Sequence, residues 1–196
     1  MTATMTTSLR VLVIDDHRSY AEALSLAISI EPGFESIGAV PDVESAILAL
    51  AEDMAEAGND RLTRIVRESD WKGKRGYDAA EAIADAYIQF WDDNAALMRV
   101  LDLTSLEGDE RFRSIRVRLL NEVTIALAGV VEAQRAAGKH PDDLDPMAVA
   151  GVLVSMLAHV ASHRAGFEGY DIGADDLRRS MARIVFTSVC GTKPPR

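Results

Sequence analysis

Cysteine is almost absent from this 196-residue chain; one residue, Cys190, stands alone near the end. A single thiol excludes an internal disulfide and a thiol-rich zinc site. Near a helix end it reads as a small buried apolar residue rather than a reactive nucleophile. Aromatics are scarce, at 6%, so the core has to come from Ala, Leu, Val and Ile, which leans towards packed helices. Basic charge is short as well, with 21 Lys and Arg against 31 Asp and Glu and a formal net charge of −10. Nucleic-acid affinity rests largely on cations neutralising phosphates, so this balance argues against a dedicated DNA or RNA binder. The first 50 residues hold only Arg10 and Arg18 against seven acids, and no basic patch can be built there. No apolar run reaches the ~18 residues that span a bilayer. The opening segment 1–8 is polar and uncharged, unlike a secretory signal. Together these absences point to a cytoplasmic protein.

What is present is a hydrophobic fraction of 48%, enough for a real core, and 27% charged residues to cover it. Two textures meet along the chain. Residues 10–14 are β-branched and almost continuously apolar, the pattern of a strand buried on both faces. Asp15-Asp16 ends it, and Asp16 or Ser19 is placed to cap a following helix. In that helix Ala23, Leu24, Ala27 and Ile28 share a face. Glu31-Pro32-Gly33 stops it, residues 34–40 read as a second strand, and Pro41-Asp42 opens another helix. Beyond this point the pattern is helical throughout. One stretch runs from Val43 to Ala57 or on to Arg67, with Gly58 as a weak point. The segment 72–76 reads as a loop from its glycines and charges. Further helices are predicted over 77–92, 94–105, 109–137, 146–165 and 174–189, with Asp145-Pro146 as a cap and first-turn proline.

The stretch Leu-Arg-Val-Leu-Val-Ile-Asp-Asp-His-Arg (residues 9–18), with the next helix and 34–40, resembles the start of a NarL-type response-regulator receiver domain. That resemblance implies a Mg²⁺-holding role for Asp15 and Asp16. The remaining strands, with their phosphoacceptor and partner residues, do not follow. Arg99-Val100-Leu101-Asp102-Leu103 imitates an acceptor strand but continues a helical pattern. Asp15 and Asp16 therefore read either as weak metal candidates or as a solvated strand end, and no cofactor is expected.

The residues Ala-Tyr-Ile-Gln-Phe-Trp-Asp-Asp-Asn-Ala-Ala-Leu-Met-Arg-Val (86–100), the long helix from Asp109, the Ala-Gly turn at 137–138 and the Asp-Pro start at 145–146 resemble the C-terminal domain of TetR-type repressors. The resemblance implies a helical body around a small-molecule pocket that dimerises through its last two helices. The residues give a compatible reading. Val149, Val152, Leu153, Met156 and Val160 form one apolar stripe; Leu177, Met181, Ile184, Val185 and Phe186 form another. Such stripes suit either a two-fold four-helix interface or burial within one chain. Candidate interface residues are Val152, Met156, Val160, Leu177, Met181, Ile184 and Val185. Tyr87, Phe90, Trp91, Met98, Asn121 and His159 mix apolar bulk with polar tips, as ligand pockets do, though core packing serves each equally well.

Enzyme chemistry finds no footing. His159 and His163 stand four apart on one helix, but Val160 follows the first, so the Glu of a metalloprotease motif is missing. Gly166, Gly169 and Gly173 lack the preceding strand of a phosphate loop. The sequence thus predicts a mainly α protein: a truncated receiver-like βαβα piece over 1–45, a TetR-type body over 46–191 and a disordered tail over 192–196. Its expected role is transcriptional regulation by a sensing and dimerising body without a helix-turn-helix reader. A degenerate phosphorelay receiver is the alternative. Expected partners are a second copy, a small apolar effector and a full-length TetR-type relative in a mixed dimer; direct DNA binding and membrane association are not expected.

Overall fold

A computed structural model describes residues 8–195; most of the opening segment and the last residue of the expected tail lie outside them. Contacts divide the chain into two units, residues 1–52 and 53–196.

The first unit is built on β1 (Leu9–Ile14), α1 (Arg18–Ile30) and β2 (Phe34–Val40), followed by the start of α2 (Val43–Glu68). The strands pair in parallel from Leu9↔Phe34 to Ile14↔Val40, with an irregularity between Val11 and Leu12. There Gly38 takes φ +123°, and its N–H donates to Ser36 Oγ at 3.3 Å. Neither strand has a fully buried residue. This corrects the expectation of burial on both faces: two strands and one crossover helix supply too little cover. The packed face of α1 also differs from the expected one. Ala21 is buried and Ser25 and Ile28 are half-buried, whereas Ala23, Leu24 and Ala27 are exposed. The Ser25 and Ser36 hydroxyls lie 2.7 Å apart, so this helix face meets β2. His17, rather than Asp16 or Ser19, is the N-cap residue of α1, with no side-chain cap bond. Asp42 opens α2 as expected, its Oδ1 accepting from Ser45 N at 2.7 Å.

The second unit contains the remainder of α2 with α3 (Gly73–Asp93), α4 (Ala95–Leu106), α5 (Glu110–Ala136), α6 (Pro146–Ser162), the short α7 (Arg164–Glu168) and α8 (Ala174–Cys190). Helix α3 packs chiefly on α8 and α5 on α6, with α4 against α5. The fully enclosed side chains include Leu62, Ile83, Tyr87, Leu119, Leu157 and Phe186. Aliphatics do most of the filling, as the aromatic shortage requires.

Two glycines look like helix breakers but are packing residues. α2 runs straight through Gly58, where a Cβ would sit 2.7 Å from Phe90 Cζ. The loop expected at 72–76 is a helix start, because Gly76 tucks against the Trp71 backbone, 2.7 Å from its carbonyl carbon to a built Cβ. Trp71 is itself fixed by donating from Nε1 to Val66 O at 2.9 Å. Capping is local and legible: Asp109 accepts from Arg111 N, and Asp145 from Met147 N and Ala148 N. The helix expected to reach residue 165 stops at Ser162, and α7 follows His163.

Candidate functional site

Helix α3 brings Tyr87, Phe90 and Trp91 together, because residues three and four apart share a helical face. The Tyr87 and Trp91 rings stack with centroids 5.9 Å apart, and Phe90 meets Trp91 edge-on at 5.3 Å. All three are buried, as is Met98 on α4. Among the described residues, Tyr87 OH and Trp91 Nε1 find no hydrogen-bond partner. A buried polar group left unpaired costs about 1–3 kcal/mol, so the pair is a local reservoir of unmet bonding. Burial alone pushes the Tyr87 hydroxyl far above its ordinary pKa, and it remains a neutral donor.

Beside this cluster lies a cavity of about 380 Å³ whose lining includes Trp91, Met98, Arg99, Asp102, His163 and Arg164. It draws on α3, α4, the end of α6 and α7. Its two acidic neighbours are already engaged: Asp92 with Arg164, and Asp102 with Arg116 at 2.7 Å. The structure thus brings Tyr87, Phe90, Trp91 and Met98 to one place. Asn121 and His159 do not join them; both are exposed, and neither lines this cavity. Asn121 lies two residues from buried Leu119 and Val123, outside the α5 face that packs inward. His159 follows buried Leu157 and Ala158 and stacks instead on His163, centroids 4.1 Å apart. Arg99, Asp102, His163 and Arg164 were missed as lining residues, because sequence patterning marks apolar faces and gives no signal for charges at a cavity rim.

A second concavity, about 570 Å³, lies between α6 and α8, lined by Leu144, Val149, Val152, Leu153 and Thr187, among others. The apolar stripes of these helices are split by the fold. Leu153, Leu177, Met181, Val185 and Phe186 are buried within the chain, Val149, Met156 and Val160 are half-buried, and Val152 and Ile184 face outward at 70% and 47% exposure. Three of the seven candidate interface residues, Leu177, Met181 and Val185, are therefore core residues. Their i, i+4, i+8 row belongs to the inner side of α8, which packs on α3.

In the first unit, Asp15, Asp16 and His17 place ligand-type atoms within 4.8 Å of one another. His17 Nδ1 lies 2.8 Å from Asp16 Oδ1, and His17 N donates to Asp15 Oδ1 at 2.7 Å. The cluster satisfies itself and is largely exposed. Asp102, the imitation acceptor, is helical, as its pattern required.

A family profile described as Tetracyclin repressor-like, C-terminal domain, matches residues 62–196. The chain belongs to this family. No curated protein and no solved structure matches it. The match covers the end of α2, helices α3 to α8 and both concavities of this Tetracyclin repressor-like domain. It makes the protein a member of a regulatory, not an enzymatic, domain family. Among the described residues, no helix is long and apolar enough to cross a membrane.

Proposed function

We propose that this chain is the effector-sensing and dimerising body of a TetR-type transcriptional regulator, and that it does not read operator DNA unaided. The observation that carries the reading is the α3/α4/α6 cavity, walled in part by Trp91 and Met98, inside the segment matched to the family. A concave apolar site with a few convergent polar groups is the usual form of a small-molecule site. Tyr87, Phe90, Trp91 and Met98 are its proposed core, and the effector has an apolar body.

Val152 and Ile184, with half-buried Met156 and Val160, form the proposed two-fold interface. A second copy seated there would cover the outward apolar side chains and complete a four-helix arrangement. Residues 9–40 hold a strand, a helix and a strand with little positive charge, unlike a basic three-helix reader. Their resemblance to a receiver remains a reading of sequence. The dimer face would also pair this chain with a full-length TetR-type relative and weaken that relative's hold on DNA.

Light scattering and a salt-titrated gel shift on the upstream DNA of its own gene test the reading together. A dimer that leaves the DNA unshifted is the expected result. Tight binding that falls steeply with salt would reveal a basic reader and overturn the DNA part; a monomer would overturn the interface. Mixing with a full-length relative and recovering only homodimers would remove the mixed-dimer role.

A further inference from the structure

The charges around the α3/α4/α6 cavity are not balanced. Asp92 is paired with Arg164 and Asp102 with Arg116, so both carboxylates at the rim are already neutralised. Arg99 is exposed, lines the same cavity, and has no acidic partner among the described residues. His163 is a further lining residue that carries no negative charge in any state, with Nδ1 held between Ser162 Oγ at 2.7 Å and His159 O at 3.0 Å. Trp91, Met98, Ala95, Leu103 and Ala161 supply the apolar walls.

From this arrangement we infer that the cavity takes a small amphipathic carboxylate, with its apolar body against Trp91 and Met98 and its anionic head drawn to Arg99. The inference rests on the cavity being the effector site and adds the chemical class of the effector. An amine head would meet Arg99 and His163 with no free carboxylate to receive it. A neutral head would leave the Arg99 guanidinium unused, forgoing a charge-assisted hydrogen bond.

Three probes with one tail and different heads test this: decanoate, 1-decanol and decylamine, each titrated calorimetrically into the full chain below its micelle concentration. Decanoate binds saturably, about tenfold or more tighter than decanol, as a charge-assisted contact requires, and decylamine binds weakest. Arg99→Gln, a surface change that leaves the core untouched, brings decanoate down to the decanol affinity. Trp91→Phe keeps a ring but thins the apolar wall and weakens decanoate and decanol alike. Decanol or decylamine equal to decanoate, or an Arg99→Gln protein that still favours decanoate, overturns the carboxylate assignment and leaves the cavity as an effector site. Absence of saturable binding by all three probes overturns both.

Discussion

Gly58 on α2 lies against the ring of Phe90 on α3, so closely that a methyl group on it would stand 2.7 Å from Phe90 Cζ and 3.0 Å from Leu119 Cδ1. Three helices therefore meet at a position where any side chain is one group too many. In an open helix, Gly→Ala stabilises by roughly 0.5–1 kcal/mol. Here the sign reverses: Gly58→Ala lowers stability by about 1–3 kcal/mol, the usual range for overpacking. Phe90 also contacts Trp91 edge-on, so the change alters indole fluorescence along with the melting temperature.

Gly129 is the control. It lies on an exposed face of α5 with nothing within 4 Å of a built Cβ. Gly129→Ala raises stability by roughly 0.5–1 kcal/mol in the same denaturation assay. Equal effects from the two substitutions would show that propensity, not space, governs both sites.

Buried and exposed positions of α6 and α8 separate folding from association. Met181 is 2% exposed, and Met181→Ala costs about 2–5 kcal/mol of stability. Ile184→Glu and Val152→Glu leave melting of the isolated chain nearly unchanged but shift light scattering from dimer to monomer. Charged variants that stay dimeric would move the interface elsewhere.

Cys190 is buried, its Sγ within 3.4 Å of Trp71 O. Burial pushes its thiol from 9.0 up to about 11. Ellman's reagent added at pH 8 labels it only as fast as the fold opens, and at once in denaturant. Between pH 9 and 11 the unfolded chain releases a proton that the folded chain retains. Stability therefore falls as pH rises through that window, and Cys190→Ser reduces the slope.

Asp109 behaves in the opposite sense. The Arg111 guanidinium and backbone N–H hold its carboxylate down to about 2. Its contribution is complete above the ordinary value of 3.8 and disappears as pH falls through about 2. Asp109→Asn keeps a capping oxygen and flattens the acid limb of the stability profile between those values.

Much of this fold is written locally. The second strand, the Asp42, Asp109 and Asp145 starts and the end of α8 follow from signals within a few residues: apolar alternation, short polar acceptors, a proline, a glycine. What was not legible depends on partners distant in sequence. Gly76 looks like loop chemistry until the Trp71 backbone is beside it, and Gly58 looks like a weak point until Phe90 is. The aromatic cluster beside the cavity was visible because Tyr87, Phe90 and Trp91 share one helical face. His159 stands one position past the buried Leu157 and Ala158, within the roughly 100° to which apolar patterning fixes a face, whereas Asn121 lies nearly opposite the packed row of α5. Arg99 became informative only once Asp92 and Asp102 were seen to be spoken for.

The end of α8 is fastened to the turn that leaves α5. His140 Nε2 is 3.1 Å from Val189 O, and Gly191, at φ +63°, packs against the Lys139 carbonyl with no room for a Cβ. A protease that cuts once between 141 and 144 would therefore leave two fragments still clasped at this point, migrating together until denatured. Trimming the carboxyl end as far as Gly191 would remove the glycine contact but keep the His140–Val189 bond and the α3/α8 and α5/α6 packing, so the nicked pieces would still travel together.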